Sequence, residues 1–151
     1  MVMILIRISF YIEDPTENIV FMILETHKNS RFFTEALVQI LNKADDYDNI
    51  KMLLTFIKDY NAYADRFLFY VNDMKIIIDI ILRMLGKVIM TEDPGYLVLE
   101  VFECITSSQT FAKNPHRRDE IDSMFDEIKD DNDLPESNYD ILESIIMSIT
   151  E

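Results

Sequence analysis

Few side chains in this sequence could carry out a reaction together. A hydrolytic triad can be assembled on paper from Ser107 or Ser108 as nucleophile, His116 as base and Asp119 as its partner. Such a serine needs a strand–turn–helix elbow and backbone donors for an oxyanion, and no glycine adjoins these serines. Neither His116 nor His27 has a cysteine or histidine at metal-ligand spacing. Both histidines are therefore interpreted as polar residues at helix boundaries.

Two acidic runs, around Asp46 and Asp130, could supply oxygen ligands for calcium. An EF-hand loop needs alternating oxygen ligands, glycine at its sixth position and glutamate at its twelfth. Counted from Asp130, the fifth and sixth residues are Leu134 and Pro135, and counted from Asp46 the fifth is Ile50. Both runs are interpreted as solvated connections, and the sequence predicts neither a metal nor another cofactor.

Cys104 is the only cysteine, which excludes an intramolecular disulfide and favours a reducing intracellular setting. It lies in the apolar helical stretch 97–105, where a thiol is usually a small buried hydrophobe. A reactive thiol is the less favoured alternative. Since no nucleophile, base and oxyanion donors can be gathered in one place, the sequence predicts a binding protein and not an enzyme.

Glycine and charge restrict the fold and the partners. There are only two glycines among 151 residues, and Gly86 and Gly95 are too far apart for a phosphate-binding loop. Few turn residues also disfavour a β-sandwich or barrel. A net charge of −14 makes nucleic acid and anionic membranes poor partners and would attract a basic protein. The charge could equally serve only to keep an apolar chain in solution.

Residues 1–12 are almost wholly apolar, interrupted by Arg7 and Ser9. This stretch is too short to span a membrane and lacks the basic start and cleavage site of a signal peptide. We expect a buried helix that begins abruptly, as if the chain started inside what is a longer domain elsewhere. A membrane-peripheral protein anchored through this stretch is an alternative hypothesis.

Helical spacing of apolar residues and capping signals predict about eight helices. They are expected to begin after Asp14–Pro15 and after Ser30, and to cover residues 48–60, 62–71, 74–90, 93–105, 115–129 and 137–150, with 107–113 as a connection. Short connections between helices are typical of helix-on-helix layers, and pairs spaced by about 40–45 residues fall within the range of armadillo and HEAT repeats. The predicted fold is therefore all-α, an armadillo/HEAT-like helical repeat.

The helix predicted over residues 74–90 is apolar nearly all round, which is typical of a central helix. Its polar residues recur every four positions, at Lys75, Asp79, Arg83 and Lys87, and neighbours of opposite sign can pair. This line is either the solvent edge of a buried helix or a ridge that contacts a partner helix, because repeat proteins bind along extended faces. The residues alone leave both interpretations open.

At this helix the chain resembles a known family. Residues 69–83, which read Phe-Tyr-Val-Asn-Asp-Met-Lys-Ile-Ile-Ile-Asp-Ile-Ile-Leu-Arg, are similar to the most characteristic segment of the WISH/DIP family, the NCK-interacting proteins with an SH3 domain and their fungal relatives. The similarity extends through residues 27–29, 32–37, 42–46, 96–99 and 118–128. On this basis residues 1–151 are predicted to form a single helical domain, with 14–129 as the family-like repeat region, 130–136 as an acidic linker and 137–150 as a terminal helix.

The resemblance implies a function. Members of the family bind and activate the Arp2/3 complex without a pre-existing filament, so they seed unbranched actin filaments. It implies a non-enzymatic clamp that favours the filament-like arrangement of the two actin-related subunits, with no small-molecule substrate, in the cytoplasm at cortical actin sites. The family-matching positions expected nearest the binding surface are Asn72, Asp73, Asp79 and Arg83. Alternatively, Asn72 or Asp73 caps the helix, and Asp79 pairs with Arg83.

A second functional hypothesis needs no family. A generic acidic helical-repeat adaptor would use its negative surface to bind a basic protein partner. Such binding would weaken steeply with salt, because exposed charges are screened beyond a Debye length of about 10 Å at 0.1 M ionic strength.

Overall fold

The computed structural model describes residues 1–27, 30–64, 67–86, 93–129 and 136–150. Within these ranges all regular structure is helical, which confirms the all-α prediction, whereas the repeat character stays a prediction. The described elements are α1 (Val2–Phe10), a 3-10 turn (Pro15–Glu17), α2 (Ile19–Thr26), α3 (Arg31–Lys43), α4 (Tyr47–Tyr63), α5 (Val71–Leu85), α6 (Asp93–Thr106), α7 (Gln109–Lys113), α8 (Arg118–Lys129) and α9 (Glu136–Thr150).

The chain divides into two compact units, Met1–Ile76 and Ile77–Glu151, and the division falls within α5. The predicted single-domain organisation over residues 1–151 stays a prediction. No helix in the described part of the chain is long and apolar enough to cross a membrane.

The first unit is built around aromatic side chains. In it α1 packs against α2, α3 and α4, and α3 packs against α4. The ring of Phe21 lies 5.4–5.6 Å from the rings of Phe56, Tyr60 and Tyr63, and Phe33 lies 5.5 Å from Phe56. Rings at these separations attract one another beyond their burial, so this group, which we call the Phe21 cluster, stabilises the first unit.

The start of the chain forms the predicted helix, but the helix is only partly buried. Ile6 and Ser9 are the buried residues of α1, and several of its apolar side chains face solvent. The expectation of a buried helix is therefore wrong for most of α1. Its inner face is fixed by Asn18, whose Nδ2 donates a hydrogen bond of 2.6 Å to Ser9 Oγ.

The helix expected to begin at Asp14–Pro15 is a single 3-10 turn. Asp14 does cap it, accepting hydrogen bonds from the backbone and hydroxyl of Thr16 at 2.8 and 2.7 Å. The turn ends because Asn18 has an extended backbone, and Asn18 then caps α2 by accepting a hydrogen bond of 3.2 Å from the Val20 amide. Two caps in succession explain why the sequence pattern looked like one start.

Two further helix starts differ from the expected ones. Ser30 precedes α3 as predicted, but its side chain makes no capping hydrogen bond. Asp46 caps α4 by accepting a hydrogen bond of 3.1 Å from the Asn49 amide. Helix α4 therefore begins at Tyr47 and continues to Tyr63, three residues beyond the predicted end.

The helix predicted over residues 62–71 is wrong. Among its described residues, 67–70 are not helical, although Leu68 and Phe69 are buried. Asn61 holds this segment from the end of α4, since its Oδ1 accepts a hydrogen bond of 3.0 Å from the Leu68 amide. Helix α5 then begins at Val71, and the carbonyl of Tyr70 accepts the first hydrogen bond, from the Met74 amide at 2.8 Å. The helical propensity of this segment is outweighed by the burial of Leu68 and Phe69 and by the hydrogen bond that the Asn61 side chain accepts.

The second unit contains the rest of α5 and helices α6–α9. Helix α6 packs against α9 and α7, and α8 packs against α9. Phe102 of α6 and Phe125 of α8 are fully buried with ring centroids 5.6 Å apart. The portion of α5 in this unit is apolar as predicted, with buried Ile77, Ile78, Ile80, Ile81, Leu82 and Leu85. Residues 87–92, where α5 was expected to end, lie outside the described residues.

Two boundaries in the second unit were misplaced. The expected connection 107–113 contains α7, which Ser108 caps by accepting a hydrogen bond of 3.2 Å from the Phe111 amide. Asn114–Pro115 does not begin a helix, because Asn114 ends α7 and α8 starts only at Arg118. The terminal helix is confirmed as α9, which begins at Glu136, while residues 130–135 of the expected acidic linker lie outside the described residues.

Candidate protein-binding surface

Helix α5 carries all four residues predicted to lie nearest a binding surface. In the first unit Asn72 is exposed, whereas Asp73 is only 6% exposed. Both lie in the first turn of α5 and not at its cap, so the expected capping role is wrong. In the second unit Asp79 and Arg83 lie on the exposed side of the helix.

Asp73 is held inside the first unit by a partner on α3. The hydroxyl of Thr34, itself fully buried, donates a hydrogen bond of 2.8 Å to Asp73 Oδ2. A carboxylate near a helix N-terminus also interacts favourably with the helix dipole. Asp73 therefore links α5 to α3, and the exposed residues of this unit's part of α5 are Asn72, Lys75 and Ile76.

Asp79 belongs to a small ionic cluster in the second unit. Its Oδ1 lies 3.0 Å from His116 Nε2 and accepts a hydrogen bond of 2.9 Å from Arg117 Nη1. The Arg117 guanidinium also donates two hydrogen bonds to Glu120, from Nε to Oε2 at 2.6 Å and from Nη2 to Oε1. Arg117 thus bridges a carboxylate of α5 and one of α8, and we call these four residues the Arg117 cluster.

The charges of the cluster shift two pKa values. Partial burial raises the pKa of Asp79, but the hydrogen bonds and positive charges of Arg117 and His116 outweigh it and hold that pKa below its ordinary value. Hydrogen bonds to Glu120 and Asp79 raise the pKa of Arg117 above its ordinary value. Both shifts favour the charged forms, so Asp79 and Arg117 form an ion pair at neutral pH.

The backbone of Arg117 is unusual. Its φ of 56° places it in the left-handed region, the only positive φ of a residue other than glycine in the described part of the chain. Its carbonyl accepts hydrogen bonds from the amides of Glu120 and Ile121 at 3.1 and 3.0 Å, so this conformation begins α8. A left-handed residue with a side chain costs about 1–2 kcal/mol, which the surrounding bonds must offset.

The polar line on α5 is exposed wherever it is described. Lys75, Asp79 and Arg83 face solvent on a helix most of whose apolar side chains are buried, and Lys87 lies outside the described residues. The solvent-edge interpretation therefore holds for these three residues, and it leaves them accessible to a partner. Asp79 pairs with His116 and Arg117, and its expected pairing with Arg83 stays a prediction.

The residues considered for catalysis have other roles. Ser108 Oγ donates a hydrogen bond of 2.7 Å to the Ile105 carbonyl and caps α7, while His116 is bonded to Asp79. Cys104 is half-buried in α6. In the described ranges no three His, Cys, Asp or Glu side chains are grouped so that they could hold a metal ion.

Sequence reasoning missed His116 and Arg117 as part of this surface. They lie 37 and 38 residues after Asp79, and no helical period connects residues so far apart. The only available signal was the basic run 116–118 in an acidic chain, which indicates no particular acidic partner.

The described residues form two all-helical units, and each unit contains part of α5 with exposed polar side chains. Residues 2–121 match the sequence profile of the SPIN90/Ldb17 leucine-rich domain. The chain belongs to the SPIN90/Ldb17 leucine-rich domain family, the WISH/DIP family that the segment 69–83 resembles.

A curated relative agrees with this assignment. The chain is 27% identical over 119 residues to Protein LDB17 of Saccharomyces cerevisiae, an alignment that covers 74% of this chain and 24% of that protein. The chain therefore spans about a quarter of the length of this relative.

Proposed function

We propose that this chain binds and activates the Arp2/3 complex in the cytoplasm, at cortical actin sites, and thereby nucleates unbranched actin filaments. It would act as a non-enzymatic clamp without a cofactor. The observation that carries the proposal is membership of the SPIN90/Ldb17 family over residues 2–121, which include the whole of α5.

The proposed contact residues are the exposed ones of the four that match the family. They are Asn72 in the first unit and Asp79 and Arg83 in the second. Asp73 has an internal role, since its carboxylate is bonded to buried Thr34. The Arg117 cluster supports the proposal for the second unit, because ion pairs fix Asp79 before a partner arrives and less side-chain freedom is lost on binding.

Activation would follow from differential binding. If the chain binds the filament-like arrangement of the two actin-related subunits more tightly than the resting one, it shifts the complex toward that state. Moving such an equilibrium from 1:99 to 99:1 requires about a 10⁴-fold preference, or about 5.5 kcal/mol. A short helix edge cannot supply this amount alone, so the proposal includes other parts of the family-matching region in the interface.

A pyrene-actin assembly assay tests the proposal. Purified chain is added to the Arp2/3 complex and actin monomers without seed filaments, and microscopy scores whether filaments are unbranched. We expect a shorter lag that saturates with chain concentration and is absent without the Arp2/3 complex. Unchanged assembly at saturating chain contradicts activation.

The net charge of −14 favours one alternative, an acidic adaptor for a basic protein. Pull-down of basic partners unrelated to actin, together with a steep loss of that binding as salt rises, would support the adaptor. Accelerated assembly at physiological salt would support the proposed activator.

A further inference from the structure

His116 is one of two histidines in the chain, and it shares an acceptor with Arg117. Asp79 Oδ1 lies 3.0 Å from His116 Nε2 and accepts the hydrogen bond of 2.9 Å from Arg117 Nη1. Histidine is the residue type whose ordinary pKa, about 6.5, brings a change of charge close to neutral pH. A change of charge at His116 would therefore act directly on Asp79, one of the proposed contact residues.

The bond to Asp79 determines which nitrogen of His116 takes up a proton. An ionised carboxylate only accepts hydrogen bonds, so Nε2 must carry the hydrogen when the ring is neutral. The second proton then binds to Nδ1, on the other side of the ring. Protonation therefore changes the charge of His116 without breaking the 3.0 Å bond, and the Arg117 cluster keeps its arrangement in both states.

Protonation of His116 removes the net formal charge of the Arg117 cluster. With neutral His116, the carboxylates of Asp79 and Glu120 share one guanidinium, which leaves a single negative charge, and charged His116 cancels it. The other charged residues described on the elements next to His116 are Arg83 on α5, Lys113 on α7, and Arg118 and Asp119 on α8. Arginine, lysine and aspartate ordinarily keep their charge between pH 6 and pH 8, so the histidine is the group whose charge changes in this interval.

Asp79 has a second oxygen with which it can contact a partner. Both of its bonds end on Oδ1, and within the described part of the chain no hydrogen bond ends on Oδ2. The side chain is 48% exposed, so Oδ2 is accessible. Because a carboxylate only accepts, the group that contacts it must be a donor, and charged donors bind carboxylates most strongly. A lysine or arginine of the partner fits this position.

We propose that His116 is a proton-operated switch on the Arp2/3-binding surface: Asp79 holds a basic side chain of the complex while His116 is neutral, and protonation of His116 weakens that contact. This inference rests on the proposed function and adds a form of regulation to it. Two cations bonded to Oδ1 reduce the attraction of the carboxylate for a third. Binding should therefore weaken about threefold between pH 7.8 and pH 6.0, the size expected of a partly exposed ion pair.

Binding of the intact chain to the purified Arp2/3 complex at about pH 7.8 and about pH 6.0 tests the switch. Biolayer interferometry at constant ionic strength gives the ratio of the two dissociation constants. Groups of the complex titrate in the same interval, so the wild-type ratio is compared with that of His116→Gln, which keeps an Nε2 donor and stays neutral. The wild-type ratio should be about threefold larger. Equal ratios overturn the switch.

Two further variants locate the effect and its sign. His27→Gln is the matched control, because it removes the other histidine, an exposed residue of the first unit, and should keep the wild-type ratio. Loss of the pH effect in this variant overturns the assignment to His116. His116→Arg places a permanent positive charge beside Asp79 and should bind about threefold more weakly than the wild type at pH 7.8. Binding of His116→Arg as tight as that of the wild type at this pH overturns the proposed sign.

Nitrogen-15 NMR of the imidazole rings tests the switch in the chain alone. The His116 ring should carry its hydrogen on Nε2 at about pH 7.8 and take up a second one on Nδ1 by about pH 6.0, and His27→Gln assigns its signal. A neutral ring with its hydrogen on Nδ1, or a ring that takes up no proton in this interval, overturns the switch and leaves the proposed function standing. Absence of binding to the Arp2/3 complex at both pH values overturns the proposed function and the switch with it.

Discussion

Thr34 Oγ1 donates a hydrogen bond of 2.8 Å to Asp73 Oδ2, and both residues are buried although 39 positions separate them. The same hydroxyl lies 2.9 Å from the Arg31 carbonyl. A hydroxyl has a single proton, so it can satisfy only one of these acceptors at a time, and the carboxylate is the stronger. The bond turns a residue that looked like a surface contact into a connection between α3 and α5.

Removing either partner of this bond should destabilise the protein. We expect Asp73→Ala and Thr34→Val each to lower the free energy of unfolding by about 1–3 kcal/mol, because a buried polar group loses its partner. The double variant should cost less than the two single costs together, since the groups are coupled. Urea denaturation measures all three variants, with Asp73→Asn as a control that keeps an acceptor oxygen. Additive costs would show that the two residues do not interact.

The ion pairs of Asp79 predict a dependence of stability on pH. Its pKa is lower in the folded chain than the ordinary value of about 3.9, because the bonds and charges of Arg117 and His116 outweigh partial burial. Such a group stabilises the fold above its unfolded pKa, and this contribution disappears as pH falls through its folded pKa. The carboxylate is 48% exposed, so the contribution at neutral pH should be at most about 1 kcal/mol.

Urea unfolding at several pH values compares the wild type with Asp79→Asn. The difference between them should be largest at neutral pH and should vanish in acid. The control is Asp126→Asn, a substitution of an exposed residue of α8, which should leave stability within about 0.5 kcal/mol of the wild type. A difference for Asp79→Asn that does not change with pH would rule out the ion pair as its cause.

The backbone conformation of Arg117 predicts that glycine at this position gives a more stable chain than alanine, the reverse of the usual order. Both Arg117→Gly and Arg117→Ala remove the guanidinium, so they differ in the backbone cost at a φ of 56°. We expect the glycine variant to be the more stable by about 1 kcal/mol, because only glycine adopts this region freely. Thermal and urea unfolding of the pair measure the difference.

Gly86 is the control position, because replacing this glycine by alanine should stabilise the chain. A Cβ there would lie 3.7 Å from the Leu82 carbonyl oxygen, an ordinary contact, and the backbone is not in the left-handed region. Gly86→Ala should therefore stabilise the chain by about 0.4–1 kcal/mol through the unfolded state. Equal stability of the two Arg117 variants would mean that the left-handed conformation carries no cost.

Two adjacent serines should respond differently to the same substitution. Ser108 accepts a hydrogen bond from the Phe111 amide as the cap of α7 and donates one to the Ile105 carbonyl, whereas Ser107 is exposed. Ser108→Ala should cost about 1 kcal/mol, and Ser107→Ala should be nearly neutral. Chemical denaturation of both variants decides, and similar costs would contradict the capping role.

The proposed function predicts a charge-sensitive surface on α5. Arg83→Glu should raise the chain concentration for half-maximal acceleration of actin assembly by about tenfold or more, which corresponds to about 1.4 kcal/mol of binding. Lys113→Glu reverses an exposed charge on α7 and should change it little. The pyrene-actin assay with the Arp2/3 complex compares both with the wild type. Equal losses would indicate a general charge effect and not a contact at α5.

Helical spacing of apolar residues was enough to predict some of the helices. Helix α5 followed from its nearly continuous apolar residues, and the last helix from its helical spacing. The segment after α4 was misassigned because the hydrogen bond to Asn61 and the burial of Leu68 decide its conformation, and helical spacing indicates neither. Asn114–Pro115 looked like a helix start, but α8 begins only after the left-handed residue Arg117.

The candidate surface was predictable only in part. Helical spacing identified the polar line of α5, and the structure shows Asp79 and Arg83 exposed on it. Periodicity could not show that Asp73 points inward to Thr34, because that bond crosses 39 residues. For the same reason it could not connect His116 to Asp79.

The tyrosines of the Phe21 cluster give the first unit a spectroscopic signal of its own. The chain has seven tyrosines and no tryptophan, and the cluster places the rings of Tyr60 and Tyr63 against Phe21. Tyrosine circular dichroism in the near ultraviolet will thus report largely on the packing of the first unit. The substitution Phe125→Trp would introduce a single tryptophan into the second unit. Its fluorescence can be excited selectively, because the chain has no other tryptophan. The unfolding of each unit can then be followed by its own signal in one sample.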